Sequence, residues 1–145
     1  MKKFLPLILI TLLCACATIS GGSYSYIPIG PQNLSITVKD PKKMPVYVAR
    51  EDVKRPWASL GLIRIKNLPY KREVLSREVD RIKADAAKKG ADAVIINQYF
   101  DENADKAYPV TLAAYLVKFL DEVSDADQQK ILDFASKAAI ESGQQ

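Results

Sequence analysis

Three oxygen-bearing side chains in one short stretch, Asp101, Asn103 and Asp105, have the types and the spacing for cation chemistry. Carboxylate and amide oxygens at alternate positions open the loops that bind Ca²⁺ in EF-hands. Such a loop needs a glycine at its sixth position and a bidentate glutamate at its twelfth, where this chain has Lys106 and Leu112. The stretch therefore predicts a solvated hairpin loop, with hard-cation binding as the less favoured alternative.

Most catalytic chemistries lack the side chains that they need. The chain has no histidine and only two cysteines, Cys14 and Cys16, which excludes Ser-His-Asp and Cys-His catalysis and histidine-ligated zinc. No glycine-rich phosphate loop is present. The acidic residues around position 101 share one loop rather than facing each other across a cleft, which disfavours glycoside hydrolysis. We predict a protein that is not an enzyme and needs no cofactor apart from a covalent lipid.

The first sixteen residues have the organisation of an export signal. Lys2 and Lys3 precede an apolar run over residues 4–13, which is too short to cross a bilayer, since that takes about 20 residues. The following Leu13-Cys14-Ala15-Cys16 resembles the lipobox of bacterial lipoproteins. In that motif a leucine stands three residues before the modified cysteine and a small residue stands directly before it. Cys16 fits this pattern and Cys14 does not.

The lipobox resemblance implies a lipid anchor. Residues 1–15 would be the signal peptide, and Cys16 would carry a diacylglycerol and an N-acyl chain. Each buried CH₂ contributes about 0.8 kcal/mol, so several chains make the attachment effectively permanent. Ala17, rather than aspartate, follows the cysteine, and by resemblance to enterobacterial sorting this favours the periplasmic face of the outer membrane. The alternative is an ordinary secretory signal, cleaved after Ala15 or Ala17, that leaves no anchor.

The remaining chain divides into a tether and one domain. Residues 16–33 are rich in Ser, Gly, Pro and Tyr, which predicts a flexible tether. Residues 34–145 are long enough for one modest core. At their centre, residues 71–89 form a one-sided helix that runs into an apolar, β-branched strand at 93–100. The apolar stripe of that helix recurs at i, i+4, i+7 and i+11: Leu75, Val79, Ile82 and Ala86.

The predicted fold is a two-layer α/β (α+β) sandwich. It has a small mixed sheet, one covering helix, a C-terminal helix and the order β-β-β-α-β-β-α. Gly61 predicts a bulge or a close backbone approach, and Gly90 predicts a left-handed helix end. Ser124 caps the last helix, which either covers the opposite sheet face or reaches a partner. Strands are expected at 34–38, 46–48, 58–66, 93–100 and 108–119, and helices at 71–89 and 124–142.

Two motifs resemble a group of small bacterial proteins: Arg55-Pro-Trp57…Leu60-Gly61-Leu-Ile63 and Gly90-Ala-Asp-Ala-Val-Ile95. The group includes the stress-sensor lipoprotein of the Rcs envelope phosphorelay and the YbjQ-like oligomers described as heavy-metal-binding. The resemblance implies a compact α/β module on a lipid anchor. The Rcs sensor's disulfides and a soft metal site do not carry over, because the mature chain would have neither histidine nor free cysteine.

These observations leave two classes of function. The first is an envelope protein that acts by contact with a protein partner, as a sensor, assembly accessory or structural element. The second is a small-ligand or hard-cation module, oligomeric like the YbjQ-like proteins, with an enclosed pocket lined by Tyr47, Tyr99 or Tyr115. The formal net charge of +4 is too small to indicate nucleic acid. Residues 39–90 are enriched in Lys and Arg, and the predicted partner-facing residues lie there: Arg77, Arg81 and Lys88.

Overall fold

The computed structural model describes residues 22–142, which form an α/β fold with a five-stranded mixed sheet and two helices. The class and the order β-β-β-α-β-β-α agree with the prediction. Short 3₁₀ turns occur at Pro41–Lys43, Arg50–Asp52 and Leu120–Glu122. The main elements are β1 (Ser23–Pro28), β2 (Val46–Tyr47), β3 (Trp57–Leu68), α1 (Arg72–Lys88), β4 (Ala93–Phe100), β5 (Val110–Phe119) and α2 (Asp125–Ser142).

The sheet has the spatial order β1-β3-β5-β4-β2. β5 pairs antiparallel with both β3 and β4, so β3 and β4 run parallel to each other. β3 and β4 are joined by α1 and form a β-α-β unit. β5 lies between these two parallel strands. β5 is apolar on both faces, which suits a central strand. β1 and β2 are the two edges.

Two apolar clusters lie on opposite faces of the sheet. The larger one lies between α1 and the sheet and contains Ile63, Ile82 and Leu116, all fully buried. The smaller one, on the other face, contains Ile95 and Val117 and is closed by residues that precede β3. Burying each such side chain stabilises the fold by about 1.5–3 kcal/mol. The apolar stripe of α1 in the sequence therefore located the main core. The second cluster buries part of the other sheet face.

The predicted tether is wrong where the structure describes it. Residues 23–28 are an edge strand paired with β3, whereas a flexible connection was expected over 16–33. The reason is a period-two alternation. Tyr24 and Tyr26 turn inward and pack against the main core, while Ser23 and Ser25 face outward. Residues 16–21 of the predicted tether lie outside the described residues.

The predicted first strand at 34–38 is also wrong, and with it the domain start at residue 34. These residues pair with no strand, and residue 34 lies in a bend. They cross instead from one helix to the other. The Ser35 N–H donates to Asp127 Oδ2 at 2.9 Å, and the Ile36 side chain lies beside Gly90. Of the alternating apolar residues of this segment, Leu34 packs against the main core, whereas Ile36 and Val38 are largely exposed.

The boundaries of β4 match the prediction, the other boundaries differ from it by at most two residues, and the expected glycine roles are confirmed. Gly61 stands at a register shift in the pairing of β3 with β5. Gly90 follows α1 with φ +80°, the left-handed conformation that glycine adopts without strain. Ser124 Oγ accepts from the Asp127 N–H at 3.2 Å, as expected of an N-cap. Neither helix within residues 22–142 is long and apolar enough to cross a bilayer.

An alternating chain of charges ties the segment before β2 to the far end of β5. The Asp92 carboxylate is fully buried and lies 3.3 Å from Lys118 Nζ and 2.8 Å from Lys39 Nζ. Lys39 continues to Glu122 at 2.5 Å, and Arg55 reaches the same carboxylate at 2.6 Å. Hydrogen bonds from Lys39 and Arg55 lower the pKa of the Glu122 carboxyl. This network is structural, because its central charge is sealed from solvent.

Candidate functional site

The predicted lipid attachment residue, Cys16, and the predicted signal peptide at 1–15 lie outside the described residues. The described residues begin with Gly22, directly before β1. The lipid anchor therefore stays a prediction. The candidate surfaces below belong to the domain that follows it.

The three predicted partner-facing residues form one exposed stripe on α1. Their side chains are 61%, 44% and 78% exposed for Arg77, Arg81 and Lys88. Each has an acidic neighbour. Arg77 and Arg81 lie 3.9 and 3.4 Å from Glu78, and Lys88 lies 3.7 Å from Asp85. The stripe is accessible, but its positive charge is partly balanced by the helix itself.

The Asp101, Asn103 and Asp105 stretch forms the loop between β4 and β5. Asp101 Oδ1 accepts from the Asn103 N–H at 3.0 Å, and Asp105 Oδ1 accepts from the Ala107 N–H at 2.8 Å. Both are local side-chain turns that fix the backbone. Within the described part of the chain, no group of three or more His, Cys, Asp or Glu side chains is placed to hold a metal ion. The two carboxylates thus stabilise the loop.

The sheet face opposite α1 carries an open groove of about 530 Å³ on β3, β4 and β5. It brings together Tyr99 and Tyr115, two of the three tyrosines expected to line a ligand pocket. Tyr47 is absent from it and packs against the smaller apolar cluster. The groove also carries charges of both signs, among them Arg64 and Glu102. It is a shallow mixed surface rather than the enclosed pocket that the sequence led us to expect of a ligand module.

The first turns of α2 are fastened to the segment after β1. Asp127 Oδ2 accepts from the Ser35 N–H at 2.9 Å, and Lys130 Nζ donates to Asp127 Oδ1 at 2.8 Å and to the Asn33 carbonyl at 3.1 Å. The Lys130 and Ser35 hydrogen bonds lower the pKa of the Asp127 carboxyl to about 2. Asp127 and Ile131 are the only buried residues of this helix. The attachment therefore ends at the second turn.

The rest of α2 leaves an apolar surface open. Its predicted apolar stripe continues from Ile131 through Phe134, Ala135 and Ala138, and these last three residues are exposed. Phe134 is 41% exposed and flanks a groove of about 550 Å³ that Pro31 lines from the other side. Leu132, beside the stripe, is 55% exposed. We call Phe134, Ala135 and Ala138 the α2 stripe. Because this stripe is exposed, the last helix does not cover the opposite sheet face, which was one of the two placements that the sequence left open.

Sequence reasoning missed the strand that carries Tyr24 and Tyr26, although the alternation Ser23 to Tyr26 signals it. The two rings meet a cation of α1 and a cation directly after it. The Arg81 guanidinium lies 4.8 Å from the centre of the Tyr24 ring, and Lys89 Nζ lies 3.9 Å from that of Tyr26. Burial raises the pKa of Tyr24 to about 12, with a smaller contribution from the Asp85 carboxylate. Arg81 of α1 and Lys89 directly after it thus help to hold β1.

A comparison with solved structures finds a distant structural neighbour. No family model matches the chain, and no curated protein matches it. A solved structure described as the Francisella virulence factor FvfA, in its orthorhombic crystal form, is similar at 19% sequence identity with a TM-score of 0.47. The similarity covers 65% of this chain and 95% of that one.

Proposed function

We propose that this protein is a non-enzymatic, lipid-anchored protein of the outer membrane, exposed on its periplasmic face, that acts by contact with an envelope protein. Its role would be that of a sensor, an assembly accessory or a structural element. The observation that supports the proposal most directly is the exposed α2 stripe. The Cys16 lipobox supports the location.

The α2 stripe suits protein contact because of its composition and its support. An exposed apolar stripe on a helix is the surface that partner proteins receive in a hydrophobic groove. Phe134 supplies an aromatic anchor, and Ala135 and Ala138 beside it allow close approach of a partner backbone. The first turns of α2 are fastened by Asp127 and Lys130, so the stripe is presented on a fixed base.

The exposed cations on α1 suggest the sign of a second contact. Arg77, Arg81 and Lys88 lie along one stripe of that helix and are accessible to solvent, although Arg81 also contacts Tyr24. A partner with an acidic surface would compete with Glu78 and Asp85 for them, which favours fast association more than tight binding. We therefore propose apolar contact at α2 and electrostatic steering at α1.

In-cell photocrosslinking tests the contact. A photoreactive amino acid at Ala138 is expected to give one major adduct with an envelope protein, and Phe134→Asp in the same chain should abolish it. Ser136→Asp, an exposed position of the same helix that does not line the groove beside Phe134, adds the same charge and is the matched control that should leave the adduct intact. An adduct that survives Phe134→Asp, or no adduct at all from Ala138, would refute a contact through the α2 stripe.

The lipid anchor is tested separately. Mass analysis of the mature N-terminus should show a diacylated and N-acylated Cys16, and globomycin should cause the unprocessed precursor to accumulate. Cys16→Ser should release the protein from membranes. A secretory signal cleaved after Ala15 or Ala17 would instead give an unmodified N-terminus in both forms.

A second candidate function is an oligomeric small-ligand or cation-binding module. The observation that supports it is the groove on the sheet face opposite α1. Its volume of about 530 Å³ lies within the range of small-molecule sites, about 300–1,000 Å³. Tyr99 and Tyr115 offer ring faces there, and Asp101 and Glu102 offer carboxylates. Calorimetry with millimolar Ca²⁺ tests the cation version. Heat release together with a higher Tm, both lost in Glu102→Gln, would support it, and no response would reject it. Sedimentation velocity reports the oligomeric state.

A further inference from the structure

The point where the chain enters the domain fixes which end of the sheet lies nearest to the predicted anchor. Ser23, the first residue of β1, pairs with Lys66 near the end of β3. Gly22 is packed against Leu68, so closely that a Cβ at position 22 would lie 2.8 Å from Leu68 Cδ2. The chain therefore reaches the domain at the end of the sheet where β3 finishes.

The same end of the sheet collects exposed aromatic side chains. Leu68 is level with Val110, and Val110 is level with Phe100 across the sheet. Tyr70 follows β3 by two residues, and its ring meets that of Phe100 with centroids 5.2 Å apart. Four of the five exposed aromatic residues in the described part of the chain lie here, and we call them the aromatic end: Tyr70, Tyr99, Phe100 and Tyr108.

These rings are too exposed to serve mainly as core. They are 66%, 53%, 56% and 46% exposed in chain order. Tyrosine rings concentrate at the membrane interface, where an apolar body and a polar tip suit the headgroup region. The charges that line the groove beside Tyr99 and Phe100 balance, because Arg64 and Lys66 stand there with Asp101 and Glu102.

The connection from the predicted anchor is short. Seven residue steps separate Cys16 from Ser23, and an extended chain covers at most about 3.6 Å per residue, hence about 25 Å in all. A link of this length holds its two ends at an effective concentration in the millimolar range. The aromatic end thus stays next to any bilayer in which Cys16 is anchored, and modest interfacial affinity suffices to seat it.

We propose that the aromatic end rests on the lipid headgroups and sets the orientation of the domain on the membrane. This inference rests on the proposed lipid anchor at Cys16. β5 runs away from this end, from Val110 to Phe119, and α2 begins beyond its far end. Phe134 of the α2 stripe lines a groove with Pro28, the last residue of β1, and is accordingly presented away from the protein's own membrane. Because the local charges balance, the seating depends on aromatic insertion and not on anionic lipid.

Depth-dependent quenching in vesicles tests the orientation. The full lipidated protein is reconstituted into phosphatidylcholine vesicles that contain lipids with a nitroxide at the headgroup. A fluorophore on Tyr108→Cys should be quenched several-fold more strongly than the same fluorophore on Val46→Cys, an exposed position of β2 that pairs with Val94 at the opposite end of β4 from Phe100. Lipidation of Cys16 leaves the introduced cysteine as the single free thiol. Equal quenching at both positions, or none at position 108, would overturn the proposal.

Two further comparisons define the cause. In the Tyr108→Cys background, the exchange Tyr70→Ser with Phe100→Ser should sharply reduce quenching while circular dichroism and Tm confirm folding. High salt and added anionic lipid should leave quenching unchanged, and a strong response to either would contradict seating by aromatic insertion. Vesicle flotation separates the two hypotheses. Protein that does not float lacks the anchor, so the proposed function fails, whereas protein that floats without quenching disproves only the orientation.

Discussion

The ring of Tyr26 occupies the space that a side chain at position 61 would need. A Cβ on Gly61 would lie 2.6 Å from the Tyr26 hydroxyl oxygen and 2.7 Å from its Cζ. The ring cannot move aside freely, because its hydroxyl donates to Gln32 Oε1 at 2.8 Å and Lys89 Nζ lies 3.9 Å from its centre. The glycine in β3 is thus required by the edge strand β1, which lies far from it in sequence.

Gly61→Ala is expected to lower the free energy of unfolding by about 1–3 kcal/mol, the usual cost of overpacking. Urea denaturation measures it. In a Tyr26→Ala background the same exchange should cost much less, so the double-mutant cycle should give a clear coupling energy. An equal cost in both backgrounds would show that the crowding at Gly61 has another source.

Asp92→Ala is expected to be severely destabilising. The exchange removes the acceptor of the Phe119 N–H, 2.9 Å away, and leaves the buried Lys118 ammonium without its carboxylate. Removing one partner of a buried pair costs about 3–5 kcal/mol. Lys39→Met is the control. Lys39 contacts the same carboxylate but is 34% exposed, so its loss should cost only about 1 kcal/mol or less. Similar costs for both variants would contradict this assignment.

The lowered pKa of Asp127 predicts that the fold loses stability in acid. Its carboxyl has a pKa of about 2 in the fold, against about 3.9 in an unfolded chain. Since the folded pKa is the lower one, the stabilisation is complete above the unfolded pKa and disappears as the pH falls through the folded value. The Tm difference between the parent and Asp127→Asn should therefore be constant near neutrality and shrink between about pH 4 and pH 2.

Lys130→Met provides the control for this pH dependence, because Lys130 makes the largest contribution to the lowered pKa of Asp127. In that background, Asp127→Asn should show a smaller pH dependence of the Tm difference. If the Tm difference between the parent and Asp127→Asn stays constant down to pH 2, the fold does not lower the pKa of Asp127.

Two apolar residues of α2, three positions apart, should respond differently to truncation. Ile131 is buried, with 8% exposure, and Phe134 is 41% exposed. Ile131→Ala should cost roughly 2–5 kcal/mol. Phe134→Ala should change stability by about 0.5 kcal/mol or less, as for an exposed position, yet weaken the crosslink from Ala138. Thermal or urea unfolding distinguishes the two. A large stability loss at Phe134 would mean that the α2 stripe belongs to the core.

Much of the domain could be predicted because its signals are local. The stripe Leu75 to Ala86 defined α1, and the φ of +80° at Gly90 follows from a helix that ends at a glycine. β4 was placed to the residue, because a short β-branched run between polar flanks has few alternatives. The failures came at 23–28 and 34–38, two alternating segments of which one pairs with β3 and the other crosses between the helices.

By itself, the sequence determined the elements whose cause lies within a few residues: the helix faces, their caps and the central strand. It also showed that the chain has no histidine on which catalysis could rest. Only the tertiary structure decided which edge strand completes the sheet, that the α2 stripe stays uncovered, and that Gly22, Tyr70, Phe100 and Tyr108 share one end. The physical reason is that strand register and order depend on contacts between residues far apart in the chain, and no local period encodes them.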